Sequence, residues 1–129
     1  MKVLLVKASN RVKAVPVSAQ KNNEVAATDI NKLLAGRTDV VLAAKISRLA
    51  CLYIMFVEKG GAGKLPINII ASAVASAETG PVRGDAVIVR TSHFGAGAKY
   101  FALEDDEIQS IVDHMTKLLK AKVVLSHDA

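Results

Sequence analysis

Short apolar runs broken by polar clusters dominate this chain and predict strands more often than helices. Residues 2–7 and 12–17 are β-prone runs separated by Ala8-Ser9-Asn10-Arg11, whose Ser and Asn suit a turn, so they predict an antiparallel hairpin. Pro16 has no N–H to donate and puts the second run at a strand end or a sheet edge. Arg11 and Lys13 would share one face of that strand by period-two alternation. Residues 24–35 read as a helix: Val25, Ala26, Ile30, Leu33 and Leu34 keep a helical period, Asn22 or Asn23 can cap it, Glu24 suits its positive end, and Gly36 can close it. Residues 39–44 and 49–57 are a second pair of apolar runs, joined by Lys45-Ile46-Ser47-Arg48. The density of β-branched and aromatic side chains in CLYIMFV favours strands over a continuous helix there.

The segment 65–89, LPINIIASAVASAETGPVRGDAVIV, organises the rest. Residues 67–77 are apolar or small at nearly every position and are expected to be covered on most sides. Glu78-Thr79-Gly80-Pro81 supplies a turn, and Asp85 to Val89 reads as a largely buried strand. Near the end, Ile108, Ile111, Val112, Met115, Leu118 and Leu119 recur at helical spacing and predict an amphipathic helix over about 105–121. Carboxylates at 104–107 and Lys117, Lys120 and Lys122 at the other end complement its dipole. Residues 122–126 add a final strand before a short tail. The fold class expected is α+β: a single domain over 1–129 with a mainly antiparallel sheet of hairpins and two amphipathic helices, the helices on one face.

Composition narrows the chemistry. The 129 residues are 51% hydrophobic and 22% charged, with no Trp and 4% aromatics, which describes one globular domain with an aliphatic core. Cys51 is the single cysteine and sits in an apolar run, so no intramolecular disulfide forms and the thiol reads as a small buried hydrophobe. His93, His114 and His127 are scattered without metal-site spacing, so no metal is expected. No apolar run approaches the length of a membrane helix and the first residues lack the core of a secretory signal, from which a cytoplasmic location without a membrane partner is expected. The net charge of +5 points mildly to an anionic partner.

Two stretches invite a chemical reading. Glu58-Lys59-Gly60-Gly61-Ala62-Gly63-Lys64 follows a strand and ends in Gly-Lys, yet it has Glu where a phosphate-binding loop needs its first Gly, Leu65 where it needs a hydroxyl, and Pro66 where a helix must begin. It is therefore a connection. Residues 90–100 combine Arg90, Ser92, His93, Phe94, Lys99 and Tyr100 with two glycines, a set able to hold an anion with the cations and stack a base on a ring. Ser92 and His93, as neighbours on an extended strand, are expected to point to opposite faces and so not to act as a catalytic pair.

Leu65-Pro66-Ile67-Asn68, Gly84-Asp85-Ala86-Val87-Ile88-Val89 and Leu103-Glu104-Asp105-Asp106-Glu107-Ile108 together resemble a family of small proteins of unknown function found in bacteriophage and plasmid genomes. The chain departs from that family in the Ile69-Ile70 that follows Asn68 and in a longer segment between Val89 and Leu103. The resemblance implies a compact α+β fold and a mobile-element origin, and lends no catalytic residue or cofactor. Asn68 is its most distinctive polar position, suited to bracing a turn or to touching a ligand.

The function expected first is a non-enzymatic accessory or counter-defence protein of a mobile element. It would bind a nucleotide-like anion through Arg83, Arg90 and Lys99, stack it on Phe94 and Tyr100, and read polar edges with Ser92, His93 and Asn68. The alternatives are a nucleic-acid-binding protein using Arg11, Lys13, Arg83 and Arg90 on one surface, and an inhibitor that docks on a host enzyme. Apolar surface left over on the 67–77 segment suggests a homo-oligomer.

Overall fold

The computed structural model describes residues 1–34, 37–46, 51–58 and 64–127. In chain order these form β1 (Lys2–Val6), β2 (Val12–Pro16), β3 (Glu24–Val25), α1 (Ala27–Asn31), β4 (Thr38–Leu42), β5 (Leu52–Glu58), α2 (Ile69–Val74), β6 (Ala86–Thr91), β7 (Tyr100–Phe101), α3 (Asp105–Leu119) and β8 (Leu125–His127). The architecture is α+β, one mixed sheet with helices packed on it. The end of the expected helix at 35–36, the joining and first strand residues 47–50, the run 59–63 and the last two residues of the expected tail lie outside the described residues.

The sheet runs β4-β5-β6-β1-β2-β8, and β7 continues along β6 where β1 stops, with β3 outside it. Every described pair is antiparallel except β2 with β8, which is parallel. α3 carries the chain back along the sheet between β7 and β8, so the last strand arrives in the same direction as β2.

Both faces of the sheet are covered. On one, Leu4, Val6, Val12, Met55 and Ile88 pack against Ile70, Ala71 and Val74 of α2 and Ile108, Ile111, Val112 and Met115 of α3. On the other, Val3, Val15, Ile54, Phe56, Val87 and Val89 pack against Val25, Ile30 and Leu34. The expectation of helices on one face is therefore corrected, because α1 covers the second. This explains why Tyr53-Ile54-Met55-Phe56-Val57 and Ala86-Val87-Ile88-Val89 read as unbroken apolar runs: each is buried at every position, as a strand between two layers must be.

Two further expectations change. The helix expected over 24–35 is only Ala27–Asn31, because Glu24 and Val25 pair with Phe101 and Tyr100. Asn22 and Asn23 do not cap it; both take left-handed backbone, φ 62 and 66, where Asn is tolerated better than most residues. The 67–77 segment is covered on one side alone: Ile70, Ala71, Val74 and Ala75 are buried, while Ile67 and Ile69 are 45% and 56% exposed.

Asn68 joins these parts. Its side-chain oxygen accepts from Ala71 N at 3.0 Å and caps α2, while its amide donates to the carbonyls of Val6 and Gly84, each at 2.9 Å. One side chain thus ties the end of β1, the turn before β6 and the start of α2. Gly84 has φ +75, which favours glycine, and a Cβ there would have to displace the end of the Glu58 side chain.

Candidate functional site

The eight residues singled out in the sequence fall in three places. Asn68 is fully buried with its amide occupied as above, and the half-buried Arg83 nearby donates to the Leu65 carbonyl at 3.1 Å. Arg90 lies near the far end of β6, seven positions on and beyond the bend at Gly84. Beyond it, Ser92, His93, Phe94 and Lys99 form an exposed turn closed on itself. Thr91 Oγ1 donates to the carbonyls of His93 and Lys99 at 2.8 and 3.0 Å, Lys99 N donates to Ser92 Oγ at 3.0 Å, and His93 Nε2 lies 2.8 Å from Ala96 O. Ser92 Oγ and His93 Nδ1 are 3.1 Å apart. That corrects the expectation that they point apart: β6 ends at Thr91, so strand alternation no longer applies. Tyr100 is turned inward, edge-on to Phe56 with ring centroids 5.0 Å apart.

The cations of the nucleic-acid reading do not share a surface either. Lys13 pairs with Leu5, and Leu5 with Val87, on the face covered by α1; Arg90 follows Ile88 on the face covered by α3.

Polar groups converge where β5 and β6 meet the first turns of α3. Counting in twos from the buried Met55 and Ile88 brings Tyr53 and Arg90 to the α3 side, directly opposite each other across the strands. Both reach Glu107, in the first turn of the helix. Tyr53 donates to Glu107 Oε2 at 2.5 Å, Arg90 lies 3.4 and 3.5 Å from its two oxygens, and Glu104 N donates to Oε1 at 3.1 Å. The Glu107 side chain is only 12% exposed. The Arg90 guanidinium also sits over the Phe101 ring, 5.6 Å from its centroid. Burial pushes the Tyr53 phenol well above its ordinary range; its hydrogen bond to the Glu107 carboxylate and that group's charge act the same way, with a smaller push from Cys51.

Beside this network is a cleft of about 400 Å³ lined by Ile46, Cys51, Tyr53, Asp106, Glu107, Ser110, Ile111 and His114. Residues 107, 110, 111 and 114 share one face of α3 by helical spacing. His114 Nε2 lies 2.6 Å from the Lys45 carbonyl. A carbonyl only accepts, so Nε2 carries a proton, and Nδ1 is the ring's other polar atom. That Nδ1 is buried and has no hydrogen-bond partner among the described residues. A buried polar atom without a partner, on a residue that lines a cleft, marks a candidate ligand site.

Sequence reasoning assigned Cys51 to packing and Glu107 to the helix dipole, and gave His114 no role beyond excluding it from a metal site. The signal present was the polar set at i, i+3 and i+7 on the face that carries Ile111. What the sequence withheld was the strand opposite it. Among the described residues no group of three or more His, Cys, Asp or Glu is placed to hold a metal, and no helix is long and apolar enough to cross a membrane. No protein-family model, curated protein or solved structure matches this chain.

Proposed function

We propose that this is a non-enzymatic small-ligand-binding protein whose ligand occupies the cleft between β5 and α3. The observation that carries the reading is the Nδ1 of His114, buried and without a hydrogen-bond partner among the described residues, on a residue that lines a cleft with Cys51, Tyr53, Asp106, Glu107 and Ser110. Tyr53, Arg90 and Glu107 spend their hydrogen bonds on one another, which makes them a stiff recognition wall rather than reactive groups. The motif resemblance supports a mobile-element setting, in which sequestering a small molecule serves as counter-defence.

The test is mass spectrometry of whatever heat denaturation releases from protein purified from bacterial cells, compared with Ser110→Trp, which fills the cleft from an exposed helical position. A discrete compound released by the parent and absent from Ser110→Trp is expected. The same compound released by both proteins would place the ligand elsewhere and overturn the reading.

A second reading keeps the nucleotide-like anion and seats it at the turn between β6 and β7. It is favoured by Phe94, which is 54% exposed and borders a hollow of about 390 Å³ shared with Val40, Val41, Leu42 and Thr79, while Lys99 remains exposed in the same turn. Release of a nucleotide that disappears in Phe94→Ala and Lys99→Ala, and persists in Ser110→Trp, would select it.

A further inference from the structure

Away from the cleft, we infer that the end of the molecule where α3 finishes docks on an anionic lipid surface without crossing it. Four segments meet at this end. Lys7 N donates to Arg11 O at 2.8 Å and closes the β1–β2 turn, Ala8 N donates to Asp85 Oδ1 at 2.9 Å, and Gly84 N donates to Pro66 O at 2.8 Å. The turn, the approach to β6 and the approach to α2 therefore lie side by side. The chain leaving α3 joins them, because Asn10, Ile69, Leu119, Lys122 and Val124 line one hollow of about 390 Å³. Ile67 and Ile69 project here together with Val124, which at 68% is the most exposed large hydrophobic residue among those described. Arg11 and Lys122, and Lys64 and Lys120 beside these segments in the chain, are exposed around them. Two carboxylates lie at this end, Glu58 and Asp85; both are half-buried and accept backbone N–H groups, from Asp85 at 3.3 Å and from Ala8. Glu78, further along, lines the hollow beside Phe94 instead.

The make-up of this patch selects the partner. Protein interfaces are enriched in aromatic residues and depleted of Lys, and single-stranded nucleic acid is held by rings on which bases stack. Here aliphatic side chains occupy the centre and Lys supplies three of the four exposed cations, while Phe94, the exposed ring among the described residues, belongs to the turn after β6. A bilayer surface uses both parts: aliphatic groups enter below the headgroups while Lys and Arg stay level with anionic phosphates and carboxylates. Charge along α3 gives the approach a direction. Asp105 and Asp106 are exposed in its first turn and Lys117 in its last, so an anionic surface attracts the end that carries the patch and repels the other. The expectation of no membrane partner rested on the lack of a spanning segment, which docking of this kind does not need.

Flotation of the full chain with phosphatidylcholine vesicles, with and without phosphatidylserine, tests this at low and at physiological salt, with duplex DNA as a second probe. Binding to the phosphatidylserine vesicles alone is expected, weakening as salt rises. Each cation near such a surface contributes about fivefold in partitioning, so Arg11→Gln with Lys122→Gln should weaken binding about 25-fold. Lys21→Gln with Lys99→Gln removes the same charge elsewhere and should leave binding nearly unchanged. Ile69→Ser with Val124→Ser keeps every charge and should lose about tenfold through the apolar contact. All six positions are exposed, so the variants should fold, which far-ultraviolet circular dichroism checks. The inference is overturned by no binding to phosphatidylserine vesicles, by equal binding to both vesicle types, by equal weakening in the Lys21 and Lys99 pair, or by full binding in the Ile69 and Val124 pair. DNA binding without vesicle binding, lost with Arg11 and Lys122 and kept without Ile69 and Val124, would overturn it in favour of a nucleic acid. None of these positions lines the cleft, so the released-ligand comparison with Ser110→Trp judges that reading separately.

Discussion

Replacing Asn68 by Ala should be among the most damaging single changes in this protein. The side chain is fully buried, and its loss leaves the Val6 and Gly84 carbonyls without the amide and Ala71 N without its cap. Each buried group left unsatisfied costs about 1–3 kcal/mol, and a lost N-cap on its own about 1 kcal/mol. Carbonyls with a second partner suffer least, so the sum should fall near the low end, about 3–5 kcal/mol. A domain of ordinary stability has only about 5–15 kcal/mol in all. For a chain of this size each kcal/mol moves Tm by about 4 °C, giving a fall of about 12–20 °C. Urea unfolding followed by far-ultraviolet circular dichroism measures it directly. Asn68→Asp is the sharper variant, because it preserves shape and the cap acceptor but turns two donors into an acceptor facing two carbonyls. A loss below about 1 kcal/mol in Asn68→Ala, or an Asn68→Asp protein as stable as the parent, would refute the bracing argument and return Asn68 to the ligand-contact role its sequence context also allowed.

Other outcomes follow from the same geometry. The Tyr53 phenol is held above its ordinary value of about 10, so its neutral form stabilises the fold fully below that pH, and the contribution drains away as pH rises from there toward its folded value. In absorbance titration at 295 nm, the step removed by Tyr53→Phe should lie well above pH 10 or coincide with unfolding; a reversible step near 10 would contradict it. Glu107→Ala removes the acceptor shared by Tyr53, Arg90 and Glu104 N and should cost about 2–4 kcal/mol in urea unfolding, with a loss under 1 kcal/mol counting against a cooperative network. Gly84→Ala and Gly80→Ala both strain a left-handed residue, φ +75 and +77, yet only the first drives a Cβ toward Glu58 and Leu65. Gly80→Ala, at φ 77 and ψ −171 in a region essentially reserved for glycine, should cost about 1–3 kcal/mol, and Gly84→Ala at least about 1 kcal/mol; a loss under about 0.5 kcal/mol in Gly84→Ala would show that the backbone relaxes and Glu58 swings aside freely. Phe94→Ser, at an exposed turn, should leave stability within about 0.5 kcal/mol by the same assay, and a larger loss would mean the ring is packed.

The sequence by itself determined the elements whose signal is local. The apolar spacing of Ile108, Ile111, Val112 and Met115 marks α3, and the β-branched runs mark β1, β2, β5 and β6, because their period is set by backbone geometry within a few residues. The turn at Gly80 was legible for the same reason, since its positive φ is a property of one residue. Tertiary structure decided what depends on partners distant in the chain. Glu24 and Val25 left a plausible helix because β7 offered them cross-strand pairing. β8 became parallel because α3 returns the chain along the sheet. The candidate site is the extreme case: Glu107, Ser110 and His114 were on one helical face in the sequence, but only the packing of α3 over β5 brings Tyr53 and Cys51 opposite them and sets His114 Nε2 against the Lys45 carbonyl. A helical or strand period says which side chains share a face; what stands across from that face is decided by the whole fold.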